Sequence, residues 1–249
     1  EVVLLSSDGV EISSQRFDEK RRSFRWQALE QISPLLVKKL IQQEDHNFYL
    51  HAGIAWPSLA KALMLTPISI IKGRPLRGAS TLTMQLVKKI FNIPSKSFFG
   101  KIQQLYFAYR IEKLWNKNQI LESYLNIVDF RGELRGVEAA SLGLFQKSSS
   151  SLNEIESQIL VSLLRSPQTN WNVLSHRVCR TMRSSPSNDM QISNEQNSCL
   201  DLIAKYKSSW QNYSLPTLPQ WAPHYFNFIL SHDKEKKDYY HSSIQVDLQ

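Results

Sequence analysis

Glycine, proline and cysteine are scarce in this chain of 249 residues, which contains 8 Gly, 10 Pro and 2 Cys. So little glycine and proline excludes collagen-like and low-complexity proteins and favours helices over a turn-rich β fold. Two cysteines, Cys179 and Cys199, are too few for a disulfide scaffold or for a cysteine-based zinc site. They either form one bridge in an oxidising compartment or remain two free thiols, and the sequence leaves both alternatives open.

Long hydrophobic runs are also missing. No stretch approaches the roughly 18 apolar residues that a membrane-spanning helix needs. Because the chain begins at Glu1 and not at Met, we expect that an N-terminal piece has been removed or left out. Any membrane anchor would then precede Glu1.

Acidic residues are outnumbered by basic ones, 22 to 30, which gives a net charge of +8. This excess suits an anionic partner, namely nucleic acid, anionic lipid headgroups or a phosphorylated substrate, and composition does not choose among them. The hydrophobic fraction of 42% fits a globular protein with a sizeable core. The length allows one large domain or two small ones.

The pattern along the chain is mainly helical after a short extended region at 1–32. Ser33 followed by Pro34 predicts a helix start, and Asn116 with Gln119 and Asn153 with Glu156 have capping-box spacing. The apolar spacing predicts helices near 34–49, 56–66, 79–91, 99–115, 118–126, 135–145 and 153–164. After Pro167 we expect a polar, flexible insertion at 183–198 and a short helix around 199–209.

Glu44 falls on the apolar stripe of the first long helix, together with Val37, Leu40, Ile41 and Phe48. The residues expected to point away from this stripe are Lys38, Lys39, Gln42, Gln43 and His46. An acidic residue there costs stability unless it is paired or needed for function. It is either a glutamate at the helix end that reaches water or a basic partner, or a carboxylate of raised pKa that acts as a general base or acid. Spacing alone leaves both open.

Four ordered motifs decide how Glu44 is interpreted. They are residues 44–53 (EDHNFYLHAG), 77–86 (RGASTLTMQL), 118–126 (NQILESYLN) and 135–140 (RGVEAA). Together they resemble glycosyltransferase family 51, the peptidoglycan glycosyltransferases that polymerise lipid II. The resemblance covers about 33–172 and, more loosely, 1–230.

Within that family the chain most resembles the glycosyltransferase half of penicillin-binding protein 1C, on residues 130–136 (FRGELRG) and 222–224 (APH). The third family motif departs from the common pattern, because Gln104 in GKIQQ at 100–104 stands where many members have a second acidic residue. Glutamine is neither a charged metal ligand nor a base. A divalent cation (Mg or Mn), which many members use, is therefore less expected here, and we predict no metal ligands.

The resemblance implies that Glu44 deprotonates the 4-hydroxyl of the acceptor sugar, which attacks the anomeric carbon of the growing chain. The leaving group is undecaprenyl diphosphate, so positive charge and hydrogen-bond donors matter more than a general acid. Any single Lys or Arg is otherwise an ordinary solvated charge. The substrate-binding residues expected on this basis are Asp45, Phe48, His51, Ser80, Thr81, Gln85, Lys88, Lys101, Gln104 and Arg135. Of these, Asp45 and Phe48 are expected to shape the site and not to perform chemistry.

Two further segments bear on the membrane and on a second domain. Residues 62–71 (ALMLTPISII) are apolar and too short to span a bilayer, so they either pack in the core or dip into the membrane interface, as the resemblance implies. Residues 58–61 (SLAK) have the spacing of a penicillin-binding transpeptidase motif, but no partner motif follows. Residues 243–249 look like the strand that leads into a transpeptidase domain, which we expect to be absent from this chain.

We therefore expect a mainly α, lysozyme-like helical domain at 33–172, preceded by the extended region and followed at 173–249 by helices and a linker. The expected function is transfer of glycosyl units from lipid II to a growing glycan strand at the periplasmic face of the bacterial inner membrane. The expected partners are those substrates, an anionic membrane surface and cell-wall synthesis proteins, and not nucleic acid. Two alternatives stay open: a degenerate lipid II-binding or scaffold module, and a lysozyme-like lytic transglycosylase.

Overall fold

The structure is a computed structural model that describes residues 2–5, 11–15, 21–61, 80–94, 97–183, 196–213, 231 and 239–241. Helices dominate these residues, which confirms the expected mainly α class. The helices are α1 Pro34–Glu44, α2 Leu82–Ile90, α3 Phe98–Leu114, α4 Lys117–Ile127, α5 Val137–Phe145, α6 Glu154–Leu164, α7 Trp171–Arg183, α8 Gln196–Ala204 and α9 Lys207–Gln211. Residues 56–61 are also helical, and short 3-10 turns lie at Leu29–Gln31, Phe48–Leu50 and Ser149–Ser151.

Helix starts follow the capping signals of the sequence. Asn116 and Asn153 each accept a hydrogen bond from the backbone N–H three residues later, and the side chains of Gln119 and Glu156 accept one from the backbone N–H of the capping residue. Both predicted capping boxes are thus confirmed. Pro34 opens α1 as expected, although Ser33 donates its hydroxyl to the Leu152 carbonyl and does not cap the helix.

The N-terminal region is extended, as expected. Strands β1 (Val2–Leu5) and β2 (Glu11–Gln15) pair antiparallel, and β3 (Tyr239–His241) adds to β1 in parallel. The following segment is fastened to α4, since Glu122 accepts hydrogen bonds from the Trp26 indole and the Leu29 backbone. Asn126 exchanges two hydrogen bonds with the Gln27 backbone.

One apolar core unites the helices. Phe48, Leu82, Tyr124 and Leu160 are all at most 1% exposed and belong to the same cluster. Side chains from α7 to α9, ending with Trp210, join this cluster, so the core continues past the boundary predicted at residues 172 and 173. No helix among the described residues is both long enough and apolar enough to cross a bilayer.

Three features differ from the sequence-based expectations. The first helix ends at Glu44 and not near residue 49, because Asp45 leaves helical geometry and turns its side chain toward α2. Lys39, expected to point away from the core, is buried against α6 and pairs with Glu154 at 2.9 Å. Helix α7 was not predicted, although its buried residues Leu174, Val178 and Met182 recur every four positions.

Cys179 and Cys199 form a disulfide, which settles the alternative left open above. The bridge links α7 to α8 across a separation of 20 residues, and closing a loop of that size typically stabilises a fold by about 3 kcal/mol. The predictions for 62–71, 184–195, 222–224 and 243–249 lie outside the described residues.

Candidate active site

Glu44 lies at the last position of α1, and its side chain is 12% exposed. Each carboxylate oxygen has a partner. Gln85 of α2 donates its amide to Oε2 at 3.2 Å, and Arg165 donates its Nε–H to Oε1 at 3.2 Å. Both partners are hydrogen-bond donors, so the two carboxylate oxygens act as acceptors, as those of a general base do.

Tyr124 fixes the orientation of the Gln85 amide. The phenol donates to Gln85 Oε1 at 2.9 Å, so the amide nitrogen must face Glu44. Burial raises the pKa of Tyr124 strongly, and the nearby charge of Glu44 raises it further. The phenol is therefore protonated and can only act as the donor toward the amide oxygen.

Arg165 is a residue of the site that the sequence did not predict. It follows the last residue of α6, is half exposed, and also donates an Nη2–H to the carbonyl of Gln43 at 3.2 Å. Nothing in its local sequence marks it, because its partner Glu44 lies 121 positions earlier. Tyr124 belongs to a motif, but the motif alone assigns it no role.

Asp45 joins the turn after α1 to the start of α2. Its Oδ2 accepts from the Leu82 backbone N–H at 2.9 Å, and its Oδ1 lies 2.9 Å from Nε2 of His51. Because a carboxylate is an acceptor, we assign the proton of the His51 ring to Nε2. Asp45 is 7% exposed, so both residues hold the turn beside Glu44 and do not face an open cleft.

Phe48 is fully buried under the same turn. The ammonium of Lys117 lies 4.4 Å from the centre of its ring and bonds Glu112 and the His51 carbonyl at 2.7 and 2.6 Å. Gly53 adopts a positive φ of 81°, and a Cβ there would stand 2.8 Å from the Ala108 carbonyl oxygen. The turn is thus packed closely onto α3, and the expected role of Phe48 in shaping the site stays a prediction.

Lys88 of α2 and Lys101 of α3 form a cationic group beside α2. Lys101 of α3 donates to the Ser80 hydroxyl at 2.6 Å and to the Gln104 amide oxygen at 3.4 Å. Burial lowers the pKa of Lys101, and the charge of nearby Lys88 lowers it further. Lys88 lies one turn beyond Gln85 on α2, so this helix carries both the partner of Glu44 and a member of the cationic group.

The first turn of α2 has few backbone donors left for an anion. Thr81 caps the helix by accepting from the Met84 N–H at 3.1 Å and donates its own hydroxyl to the Gly53 carbonyl at 2.6 Å. The Leu82 N–H is bonded to Asp45. Recognition of an anion here would therefore depend mainly on the side chains of Ser80, Lys88 and Lys101.

Arg135 lies with a different group of charges. Its Nε donates to the Ile127 carbonyl at 3.1 Å and is 3.8 Å from Asp129, which also contacts Lys89 and Arg21. No contact among the described residues joins Arg135 to Glu44 or to Lys101. Its expected role in substrate binding stays a prediction.

A bound divalent cation does not fit the residues around Gln104. The part of the chain that the structure describes has no group of three or more His, Cys, Asp or Glu side chains that could hold a metal ion. Gln104 is 4% exposed and its amide oxygen already faces the Lys101 ammonium. No step proposed below passes through a metal.

The chain matches the family model described as Transglycosylase over residues 8–190. It is similar to a biosynthetic peptidoglycan transglycosylase of Shewanella oneidensis, with 39% identity over 143 residues that cover 57% of this chain and 60% of the relative. A protein of the same name from an Azoarcus species is 36% identical over 150 residues, covering 60% of this chain and 64% of the relative.

A third protein of that name, from Aromatoleum aromaticum, is 35% identical over 158 residues, covering 64% of this chain and 67% of the relative. The chain thus spans between 60% and 67% of the length of these three curated relatives. None of the three is named as penicillin-binding protein 1C, and the closer likeness to that subgroup stays a prediction.

Proposed function

We propose, on the premise that this chain belongs to the transglycosylase family, that it is a peptidoglycan glycosyltransferase acting on lipid II. That family is the glycosyltransferase family 51 that the four sequence motifs resemble. The observation that carries the proposal is the geometry of Glu44, an ionisable carboxylate held between Gln85 and Arg165 at the end of α1. The names of the relatives support the same activity.

Glu44 is the proposed general base. It takes the proton from the 4-hydroxyl of the acceptor sugar, whose oxygen forms a bond to the anomeric carbon of the donor chain. The bond between that carbon and the diphosphate oxygen breaks, and its electron pair leaves with undecaprenyl diphosphate. Attack from the face opposite the leaving group inverts the anomeric centre and gives a β-1,4 linkage.

Lys101, Lys88 and Ser80 are the proposed binding groups for the diphosphate. An anion placed between two cations that repel one another removes the repulsion and gains charge-assisted hydrogen bonds. The lowered pKa of Lys101 supports this assignment, because its ammonium is held partly buried and next to Lys88 with no acidic partner among its described contacts. A diphosphate leaving group stabilised in this way needs no proton donor.

The outer face of α3 supports a location at a membrane surface. Its exposed apolar residues are Phe98, Phe99, Ile102, Tyr106, Tyr109 and, at the C-terminal end, Leu114. The only acidic residue of the helix, Glu112, points inward with a side chain that is 5% exposed. Aromatic side chains interleaved with basic Arg110 and Lys113 suit the headgroup region of an anionic bilayer.

The disulfide supports action outside the cytoplasm. Cys179 and Cys199 are 2% and 1% exposed, and buried structural disulfides form and persist in oxidising compartments such as the periplasm. Together with a lipid-linked substrate, this favours the periplasmic face of the inner membrane as the place of action. Binding to other cell-wall synthesis proteins stays a prediction.

Polymerisation of labelled lipid II by the purified chain tests the proposal. We expect glycan strands from the native chain, and a loss of about 100-fold or more for Glu44→Gln, since general-base catalysis typically contributes that much. Glu30→Gln, which removes an exposed carboxylate from the turn before α1, serves as the control and should keep the native rate.

Two other outcomes would each replace the proposal with an alternative. A folded chain that binds lipid II in lipid but makes no polymer is a binding module, which the glutamine at position 104 would explain. Shortening of finished glycan strands identifies a lytic transglycosylase, since a single catalytic glutamate in a helical domain also serves that chemistry.

A further inference from the structure

Arg165 belongs to a series of three polar contacts that join α1 to α6. Lys39 pairs with Glu154 at 2.9 Å, and the amide of Gln43 donates to Gln158 at 2.8 Å. The third contact is the one from Arg165 to Glu44. Only this contact reaches the carboxylate that the proposed reaction uses, whereas the other two lie along the helix interface.

The carboxylate of Glu44 is held from two sides. On one side, Tyr124 fixes Gln85, and Gln85 binds Oε2. On the other side, Arg165 is the one described partner of Oε1. The guanidinium is itself anchored, because its Nη2 donates to the Gln43 carbonyl in the preceding residue of the same helix. Without Arg165, the carboxylate would keep a single contact and could rotate about it.

We propose that Arg165 is a positioning residue for glycosyl transfer, which fixes Glu44 in the orientation that accepts the proton of the acceptor hydroxyl. The inference rests on the proposed function. Arg165 lies outside the four motifs and is 50% exposed, whereas Glu44 is 12% exposed. An ion pair with one partner this open to solvent typically contributes about 1 kcal/mol or less to stability. A displacement of a reacting group by about 1 Å, by contrast, can cost 100-fold in rate. Loss of Arg165 should therefore lower turnover far more than stability.

Steady-state polymerisation of lipid II by three variants tests this role. For Arg165→Gln we expect kcat to fall by about 10- to 100-fold, with KM for lipid II within about threefold of native. Arg165→Lys keeps a cation that can reach Glu44 but loses the second contact of the guanidinium, so its kcat should lie between those of the native chain and of Arg165→Gln. Glu154→Gln weakens a contact between the same two helices without touching Glu44, and should leave both kcat and KM unchanged.

Three outcomes would overturn the positioning role. Native kcat in Arg165→Gln would show that the contact does not matter, and a raised KM at native kcat would make Arg165 a substrate-binding group. An equal loss of kcat in Glu154→Gln, or a large drop in the melting temperature of Arg165→Gln, would show that it only joins the helices. The native chain is assayed alongside: if it forms no polymer, the proposed function itself fails and the positioning role fails with it.

Discussion

Lys101 shows how a single residue connects stability to the proposed chemistry. Its ammonium is partly buried and lies near a second cation, Lys88, and both factors lower its pKa. A charged group in such surroundings destabilises the folded state compared with the unfolded chain. In a binding site for a diphosphate, the bound anion supplies the negative charge that offsets this destabilisation. A lysine with a purely structural role would instead have an acidic partner in the protein.

Lys101→Met should therefore raise the stability of the free protein while lowering its activity. Because the folded-state pKa is depressed, the destabilisation is fully present at neutral pH and disappears as pH rises through the folded pKa toward the ordinary lysine value of 10.5. The melting temperature of Lys101→Met should thus exceed that of the native chain at pH near 7, with a difference that shrinks as the pH becomes alkaline. Polymerisation should fall by about tenfold or more, the usual value of a hydrogen bond to a charged group.

Lys113→Met, which removes an exposed lysine from the same helix, is the control for the Lys101 variant. It should change neither the melting temperature at neutral pH nor the rate in detergent. A native polymerisation rate in Lys101→Met, or a melting temperature below that of the native chain, would contradict the binding role.

Sequence alone predicted part of this residue-level arrangement. Glu44 and Gln85 come from separate motifs and are in contact, as are Ser80 and Lys101. Arg165 was not predictable, because the contact depends on how α6 packs on α1, and helical periodicity contains no information about a partner on another helix. Lys39 was assigned to the wrong face of α1 for the same reason. It is buried because it pairs with Glu154 on α6, and the periodicity of α1 contains no information about that partner.

At the scale of secondary-structure elements, the first residue of a helix was easier to predict than the last. A helix start is marked by local chemistry, as at Asn116 and Asn153, where the capping side chain and its return partner lie only three residues apart. The end of α1 depends instead on a distant contact, because Asp45 leaves the helix to bind the Leu82 N–H of α2. The four-residue spacing of Leu174, Val178 and Met182 is typical of a helix. It was not recognised for α7 because most of the residues between them are polar.

The capping box of α4 provides a quantitative test at this scale. Asn116→Ala removes the side-chain acceptor for the Gln119 N–H and should lower the free energy of unfolding by about 1 kcal/mol. Denaturant unfolding measures this difference. Asn118→Ala, at an exposed position two residues further in the same helix, should be neutral or slightly stabilising, because alanine is the better helix former. Equal losses in both variants would mean that composition, and not the cap, determines the stability of α4.

For the whole molecule, α3 relates the proposed site to one side of the surface. Lys101 of this helix donates to Ser80 and to the buried Gln104, while the outer face of the helix carries exposed aromatic residues. A lipid-linked diphosphate has its charged part at headgroup depth and its chain in the hydrocarbon. One helix therefore presents a cation to the proposed diphosphate and an apolar face to the proposed bilayer. Composition gave a net charge of +8 but did not indicate which part of the surface would bind an anionic partner.

Binding to vesicles that contain anionic lipid tests this orientation. Phe98 and Phe99 are each 77% exposed, so Phe98→Ser with Phe99→Ser should weaken vesicle binding by at least about tenfold without unfolding the chain, since burying one such side chain is worth about 2 kcal/mol. Val173→Ser with Leu202→Ser replaces exposed apolar residues on α7 and α8 and should leave binding unchanged.

Raising the ionic strength to about 1 M, where charges are screened beyond about 3 Å, should weaken binding of the native chain. Equal binding by the two double variants would mean that α3 does not face the membrane, because loss of two exposed aromatic residues must matter if they lie in the interface.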